Sequence, residues 1–309
     1  MSTTPEKRVQ FDFDIDFSNG GGLAGRAFRL DIDGDDIADT TLADAIVRDL
    51  RLLMVGTVRI RNKTIIEEPH KRRAASRPPG PQPRFVDLSH AIEDGMITYK
   101  GLPAPLICDH LSREASRAVY AAGTEFQIGR ITMVANTGTY IDSPFHRYAD
   151  GADVADFELA SIASLDAVVA RASGMSGRAI GRGAFAALDV RDKAVLVHTG
   201  WDAHWRTDRY FEGHPFLTAD AATHLRDAGA RLVGIDSLNI DDTADGTRPV
   251  HTTLLGAGVP IVEHLCNLGA LPTAGFRFSA VPPKVRGIGT FPIRAFATLD
   301  SPLPLAGEG

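Results

Sequence analysis

The stretch Asn136-Thr-Gly-Thr-Tyr-Ile-Asp-Ser-Pro-Phe-His146 places an amide, a phenol, a carboxylate and an imidazole within eleven residues, around a glycine and a proline. It follows an apolar, β-prone run at 128–134, which we expect to be a central strand. A strand that ends in a tight turn with clustered polar groups is a common way for a rigid sheet to present reactive side chains. The stretch therefore predicts a functional site, and a purely structural turn held by capping hydrogen bonds is the alternative.

The spacing within this stretch predicts which side chains meet. On a strand, Tyr140 and Asp142 would share one face. Gly138 permits the sharp turn that would bring Asn136 close to them. Asp142 would then either orient His146 as a general base or hold a cation.

Further candidates lie later in the chain, where polar residues interrupt apolar runs. His251 and Glu263 are twelve positions apart, so a second element would have to bring them together. Buried carboxylates are rare unless they are paired, metal-bound or protonated, which makes Glu263 the more informative of the two. We also expect His198 and Trp201 to contact the substrate, with structural packing as the alternative for each. Lys284 and Arg294 are weaker candidates for binding an anionic group.

Composition and charge narrow the class of protein. The 309 residues are 44% hydrophobic and 23% charged, with a net charge of −6, which argues against a nucleic-acid or acidic-membrane binder. No apolar run has the length of a membrane span, and the first residues lack a secretory core. Cys108 and Cys266 form no closely spaced pair, so we expect the reducing environment of the cytoplasm. The partner that we expect is a small-molecule substrate.

The periodicity of the chain predicts two parts and a linker. Residues 1–70 should form a small α+β module of ββαββ order, with strands at 9–17 and 28–33, a helix at 41–54 and a hairpin at 58–67 turning at Asn62-Lys63. Residues 71–84 are rich in proline and arginine and should be a linker. Residues 85–309 mix buried strands, such as the apolar run 194–200 that ends in a glycine turn and the run 231–236, with a few helices. This pattern predicts a mixed α/β fold with a substantial sheet.

Several motifs in the second part together resemble the putative cyclase family, which includes bacterial kynurenine formamidase and isatin hydrolase. The family signature His-x-Gly-Thr-His-x-Asp-x-Pro-x-His matches 136–146 in every interval. Further matches along residues 85–300 are Asp87-Leu-Ser-His, Thr199-Gly-Trp-Asp, Gly234-Ile-Asp236, the run from His251 to Glu263, Pro282-x-Lys284 and Pro292-x-Arg294.

This resemblance implies a swivelling β/β/α catalytic domain at 85–309, assembled as a dimer or tetramer. It implies metal-dependent hydrolysis of an amide or lactam, typically an aryl formamide. In the family, the two leading histidines and the aspartate of the signature hold a divalent metal, often zinc or manganese. The position of His146 acts as acid or base, and those of His251 and Glu263 complete the site or a second metal.

The chain departs from the signature at Asn136 and Tyr140, where the family has the two leading histidines. An amide and a neutral phenol are poor ligands for transition metals, so we expect no metal cofactor. Tyr140 would then donate a proton, His146 would act as base, and Asp142 or Glu263 would orient it. Such acid–base chemistry suits a cyclase, dehydratase or lyase acting on a small carbonyl, amide or lactone compound.

Two alternatives remain open. The first is an arylformamidase-like amide hydrolase that keeps a residual zinc or manganese site on Asp142, His251 and Glu263, with or without His146. The second is an inactive homologue that binds a ligand or serves as a scaffold. The catalytic set that we predict is Tyr140, Asp142, His146, His251 and Glu263, with Asn136, His198 and Trp201 contacting the substrate.

Overall fold

The computed structural model describes residues 7–32, 34–67 and 83–299. The chain divides into two compact units, residues 1–80 and 81–309. The predicted linker at 71–84 lies outside the described residues up to position 82, and Arg84 already begins a strand. None of the described helices is long and apolar enough to cross a bilayer.

The N-terminal unit is a three-stranded antiparallel sheet with one helix packed on it. Alternate residues of the central strand are buried, from Val9 to Ile15, and they pack against Leu42 and Ile46 of the helix. This is the predicted period of a half-buried strand. The elements are β1 (Lys7–Phe17), β2 (Gly22–Asp31), α1 (Asp39–Asp49) and β3 (Val55–Glu67).

The predicted hairpin at 58–67 is wrong, because β3 is one continuous strand that pairs with β1 along its length. Asn62 has a φ of 52° and coincides with a shift in the pairing register, so it forms a bulge and not a turn. Its amide donates to Asp12 Oδ2 at 2.7 Å, which holds the bulge against β1. The order of elements is therefore ββαβ.

The C-terminal unit contains a nine-stranded mixed sheet, which confirms the mixed α/β class. Its elements are β4 (Arg84–Asp87), β5 (Leu106–Leu111), α2 (Arg113–Ser116), β6 (Ile128–Thr132), β7 (Tyr140–Asp142), β8 (Leu165–Arg171), β9 (Ala179–Ile180), β10 (Ala194–His198), β11 (Phe216–Leu217), α3 (Ala219–Asp227), β12 (Leu232–Ile235), α4 (Pro249–Gly256), β13 (Ile261–Glu263), β14 (Phe276–Ser279), β15 (Thr290–Pro292) and β16 (Phe296–Leu299). The strand order of the sheet is β15-β7-β13-β12-β10-β8-β14-β16-β4. The four strands β13, β12, β10 and β8 run parallel, and the others join antiparallel.

The central strands are buried on both faces, as their continuous apolar sequences predict. In β10, Val195 and Val197 belong to the core that includes residues of α3 and α4. Ala194 and Leu196 belong to a second core that includes residues of β14 and β16. The sheet therefore provides a rigid base for the residues at its strand ends.

The run at 128–134 is not the central strand that the sequence predicts. It contains β6, but β6 pairs only with β5 in a separate two-stranded sheet. All five residues of β6 are exposed. The short strand β7 carries the polar stretch into the main sheet instead.

Candidate active site

The pairing register of β7 brings four polar side chains together. On one side Tyr140 lies directly opposite Glu263 of β13, and on the other Asp142 lies directly opposite Thr290 of β15. Directly opposed residues of an antiparallel pair extend on the same face. Strand pairing thus builds one polar cluster from three separate segments.

The turn before β7 forms as predicted. Gly138 has a φ of 66°, and a Cβ there would lie 2.9 Å from Ile92 Cγ1, so the position favours glycine on both counts. Its N–H donates to Thr98 Oγ1 at 2.9 Å. The turn leaves Asn136 beside Tyr140 in the wall of a cavity.

The cavity has a volume of about 320 Å³, which suits a small molecule. Among its lining residues are five that the sequence predicts, and Asp142 is fully buried beside them. The lining consists of Tyr99, Leu102, Asn136, Tyr140, His146, Arg147, Asn239, Arg248, His251 and Glu263.

His251 is held at the start of α4 by a carboxylate that the sequence analysis did not assign to the site. Asp241 accepts hydrogen bonds from the backbone N–H of Val250 at 2.7 Å and from that of His251 at 3.0 Å. Its Oδ2 also lies 2.6 Å from His251 Nδ1. The ring is therefore oriented so that Nε2 lies 3.7 Å from Asp142 Oδ2.

Asp142 Oδ2 is a buried atom without a hydrogen-bond partner among the described residues. Burial works against a positive charge on His251, but the carboxylates of Asp142, Asp241 and Glu263 outweigh it and raise the pKa of His251 to about 10. The imidazole is therefore cationic at neutral pH when nothing else neutralises these carboxylates.

His146 is oriented through Thr290, a residue that the sequence analysis missed. Thr290 Oγ1 donates to Asp142 Oδ1 and lies 2.9 Å from His146 Nδ1. The Thr290 hydroxyl has one proton, and it donates this proton to Asp142. Its oxygen must therefore accept the other hydrogen bond, which His146 Nδ1–H donates. This arrangement leaves the lone pair on His146 Nε2.

Asp142, His146 and His251 form a group that fits a divalent metal ion. Each offers one ligand atom, and these atoms lie within 4.8 Å of one another. Ligand atoms around a tetrahedral ion are roughly 3.3–3.6 Å apart, close to the 3.7 Å between Asp142 Oδ2 and His251 Nε2. A carboxylate bound to the second ring nitrogen, as Asp241 is here, is also typical of histidine ligands. The residues therefore fit a metal, contrary to our expectation that none is needed.

Glu263 is not in this group, although its Oε1 lies 3.8 Å from His251 Nε2, and the residual set of Asp142, His251 and Glu263 stays a prediction. Its Oε1 accepts from the backbone N–H of Ile240 at 2.6 Å. Its Oε2 accepts from Tyr140 at 2.5 Å and from Asn239 at 3.3 Å. Donors of its own chain therefore already occupy this carboxylate.

Tyr140 acts as a hydrogen-bond donor. Burial and the neighbouring Glu263 raise the pKa of its phenol well above the ordinary value, so it stays protonated. Burial also raises the pKa of Glu263, against the opposing effect of His251. The pair thus holds a proton at the wall of the cavity.

His198 and Trp201 do not line this cavity, and their contact with a substrate stays a prediction. His198 Nδ1 lies 3.0 Å from Arg171 Nη1, and Trp201 Nε1 donates to the carbonyl of Tyr210 at 3.0 Å. The reason is the strand order, which places two strands between β10 and β7. Both side chains have packing roles that the sequence pattern does not reveal.

Several residues of the site come from outside the motif and were not predicted from the sequence. Arg147 directly follows His146, and that proximity was the one available signal. The others belong to loops and strands whose position depends on the fold. These are Tyr99, Asn239, Asp241, Arg248 and Thr290.

Known proteins resemble this chain in sequence and in fold. The family model described as Putative cyclase matches residues 86–242. The kynurenine formamidase of Geobacillus thermodenitrificans (strain NG80-2) is 31% identical over 215 residues, covering 68% of this chain and 95% of that protein. A solved structure described as a potential metal-dependent hydrolase with cyclase activity is 28% identical with a TM-score of 0.58, covering 71% of this chain and 100% of the other. Isatin hydrolase A from Labrenzia aggregata, bound to benzyl benzoate, is 21% identical with a TM-score of 0.60, covering 71% and 94%, and it shows a likeness of fold. The chain therefore belongs to the putative cyclase family and is an enzyme of that family.

Proposed function

We propose that this enzyme is a metal-dependent hydrolase of small amides, with a divalent ion held by Asp142, His146 and His251. The observation that carries the proposal is the buried, unpartnered Oδ2 of Asp142, 3.7 Å from His251 Nε2. A buried carboxylate oxygen without a hydrogen bond is costly, and a metal ion bound directly to it would satisfy it. The kynurenine formamidase and metal-dependent hydrolase relatives support the same chemistry.

A zinc or manganese ion at this position would supply an activated water and polarise the substrate carbonyl. The protein's own residues would set the geometry. Asp241 orients His251, and Thr290 orients His146 toward the same space. The amide of Asn136 lies in the cavity wall, where it can hydrogen-bond a substrate amide.

The Tyr140–Glu263 pair supports the second candidate function, acid–base catalysis without a metal. Its 2.5 Å hydrogen bond holds a proton beside His251 in a buried wall. In the hydrolase the same proton would serve the departing amine. The two candidates differ in whether activity requires a metal.

Metal analysis of protein purified without chelator separates these candidates. We expect one zinc or manganese ion per chain and hydrolysis of N-formylaniline that a chelator abolishes. Asp142→Asn and His251→Gln should lose both the metal and the activity, whereas the exposed control Asp150→Asn should keep both. Metal-free protein that turns over a carbonyl substrate in the presence of chelator would establish the acid–base alternative.

We also propose that the enzyme assembles with further copies of itself. Apolar side chains of β5 and β6 are exposed, including Leu106 at 49% and Ile131 at 58%. An exposed apolar strand pair of this kind is typical of an interface. Light scattering should show a dimer or tetramer, and Ile131→Lys should weaken it. A monomeric wild-type protein at micromolar concentration would contradict this.

A further inference from the structure

Two arginines, Arg147 and Arg248, each with a guanidinium group, line the active-site cavity. Within the described ranges, no ion pair joins either group to a carboxylate of the protein. Hydrogen bonds from Thr247 to Asp245 Oδ1 are the main cause of the lowered pKa of Asp245. The positive charge of Arg248 lowers that pKa by a smaller amount. Among the described residues, neither guanidinium therefore has a carboxylate within ion-pair distance.

Arg248 is held in place by the network around Glu263. Its Nη1 donates to Asn239 Oδ1 at 3.2 Å, and the Nδ2 of the same amide lies 2.9 Å from Tyr99 Oη and 3.3 Å from Glu263 Oε2. The backbone of Arg248 has φ 48° and ψ 60°, a left-handed conformation that is unfavourable for arginine. Such strain persists where the surrounding structure imposes it, and it is concentrated at functional sites.

Arg147 follows His146 in the sequence, and compared with Arg248 its side chain makes fewer hydrogen bonds to described residues. Its Nε donates to Thr252 Oγ1 at 3.3 Å, and its guanidinium lies 5.3 Å from the centre of the Tyr148 ring. In the part of the chain that the structure describes, these contacts leave its two terminal nitrogens without a hydrogen-bond partner. They are the atoms that form the paired hydrogen bonds by which arginine binds a carboxylate.

The charges of the site are thus separated. The carboxylates of Asp142 and Glu263 are buried, whereas Arg147 is exposed and Arg248 half-buried. Lys284 and Arg294, the cations that the sequence suggested for an anion, do not line this cavity, and Arg294 pairs with Asp87 at 2.7 Å. Charged residues scattered over a surface are explained by solubility. Two arginines that line one cavity and have no ion-pair partner among the described residues call for another explanation.

We propose that Arg147 and Arg248 bind a carboxylate of the substrate, so that this enzyme acts on anionic amides. The inference rests on the proposed amide hydrolysis at Asp142, His146 and His251. The substrate class would be a small amide that carries a carboxylate near the bond to be cleaved, such as an N-formylated aromatic acid. The arginines would hold the acid group while the amide occupies the inner part of the cavity.

The test compares N-formylanthranilate with N-formylaniline, which differ only in the carboxylate. In the metal-loaded full-length protein, Arg147→Met and Arg248→Met should each raise the KM for N-formylanthranilate at least tenfold more than that for N-formylaniline. The kcat for N-formylanthranilate should change far less than its KM. Arg231→Met, an exposed arginine outside the cavity, is the matched control and should leave both substrates unaffected. Equal effects on the two probes would overturn the proposal.

Calorimetry with anthranilate separates this proposal from the hydrolase proposal, because it does not depend on turnover. If neither probe is hydrolysed, the hydrolase proposal fails for formamides. The anion site is then supported by anthranilate binding that weakens at least tenfold in both arginine variants. Anthranilate that does not bind, or that binds wild type and variants equally, would overturn the anion site.

Discussion

Tyr140 and Glu263 lie directly opposite each other on β7 and β13, and the phenol donates a 2.5 Å hydrogen bond to Glu263 Oε2. The family signature has a histidine where this chain has Tyr140. The phenol keeps Glu263 bonded within the protein, and the candidate metal group forms on Asp142, His146 and His251 instead. At Tyr140, where the family signature has a ligand, this chain therefore has a hydrogen-bond donor to Glu263.

Tyr140→Phe should destabilise the protein by roughly 1–3 kcal/mol, because it leaves the buried Glu263 without its shortest hydrogen bond. We also expect at least a tenfold loss of activity. The free energy of unfolding is measured by denaturant titration for Tyr140→Phe, Glu263→Gln and the double variant. Strictly additive effects of the two single changes would show that the pair is not coupled.

Thr290→Val should lower activity at least tenfold, because it removes the hydroxyl that links Asp142 to His146 and sets the tautomer of the imidazole. Thr290→Ser keeps the hydroxyl and should restore most of the rate. The kcat and KM of both variants are compared with those of the wild type. If valine and serine gave the same rate, the hydroxyl would have no role in orienting His146.

Gly289→Ala should disrupt the site, because a Cβ there would lie 2.3 Å from the backbone nitrogen of His146. The expected cost is about 2 kcal/mol or more, together with loss of the bound metal. The matched control is Gly183→Ala, which meets no atom within 4 Å and has no positive φ. Melting temperature and metal content are measured for both. If Gly289→Ala had the same melting temperature and metal content as Gly183→Ala, the close packing of Gly289 against His146 would be contradicted.

The C-terminal unit should lose stability as the pH falls from 7 to 5. Burial lowers the pKa of His90 to about 4, and it also lowers those of His214 and His264. Below the usual value of 6.5 the unfolded chain binds more protons at these positions, so their stabilising effect is complete above pH 6.5 and is lost on acidification. Three groups with raised pKa values act in the opposite direction and offset part of the loss. They are Asp236, whose pKa burial raises to about 6, Glu263, whose pKa burial also raises, and His251, where burial is outweighed by neighbouring carboxylates that raise the pKa to about 10.

Tryptophan fluorescence can follow this transition, because both tryptophans of the chain, Trp201 and Trp205, belong to the C-terminal unit. His90→Phe should keep the stacking on Trp205, where the rings are 4.0 Å apart, and remove one titrating group. The denaturation midpoint of this variant should depend less steeply on pH. A wild-type midpoint that stays constant or rises between pH 7 and 5 would contradict the prediction.

Residue patterns predicted much of the local structure, since they record which faces are buried. The alternation in β1, the apolar strand β10 and the turn at Gly138 were all predicted correctly. The hairpin at 58–67 was wrong, because an asparagine with positive φ serves a bulge as well as a turn. The run at 128–134 was placed wrongly, because apolar residues on an exposed strand pair resemble those of a core strand.

The sequence by itself determined the family and most of the polar residues of the site, because both depend on residue types at set intervals. Only the tertiary structure decided how these residues pair. Tyr140 and Glu263 are 123 positions apart, and Asp142 and Thr290 are 148 apart. No local periodicity encodes which distant strands flank β7, since strand neighbours are chosen by the packing of the whole sheet. The pairing of β15 with β7 brings Thr290 to the site, and the fold also brings Arg248 to the cavity, which His198 and Trp201 do not line.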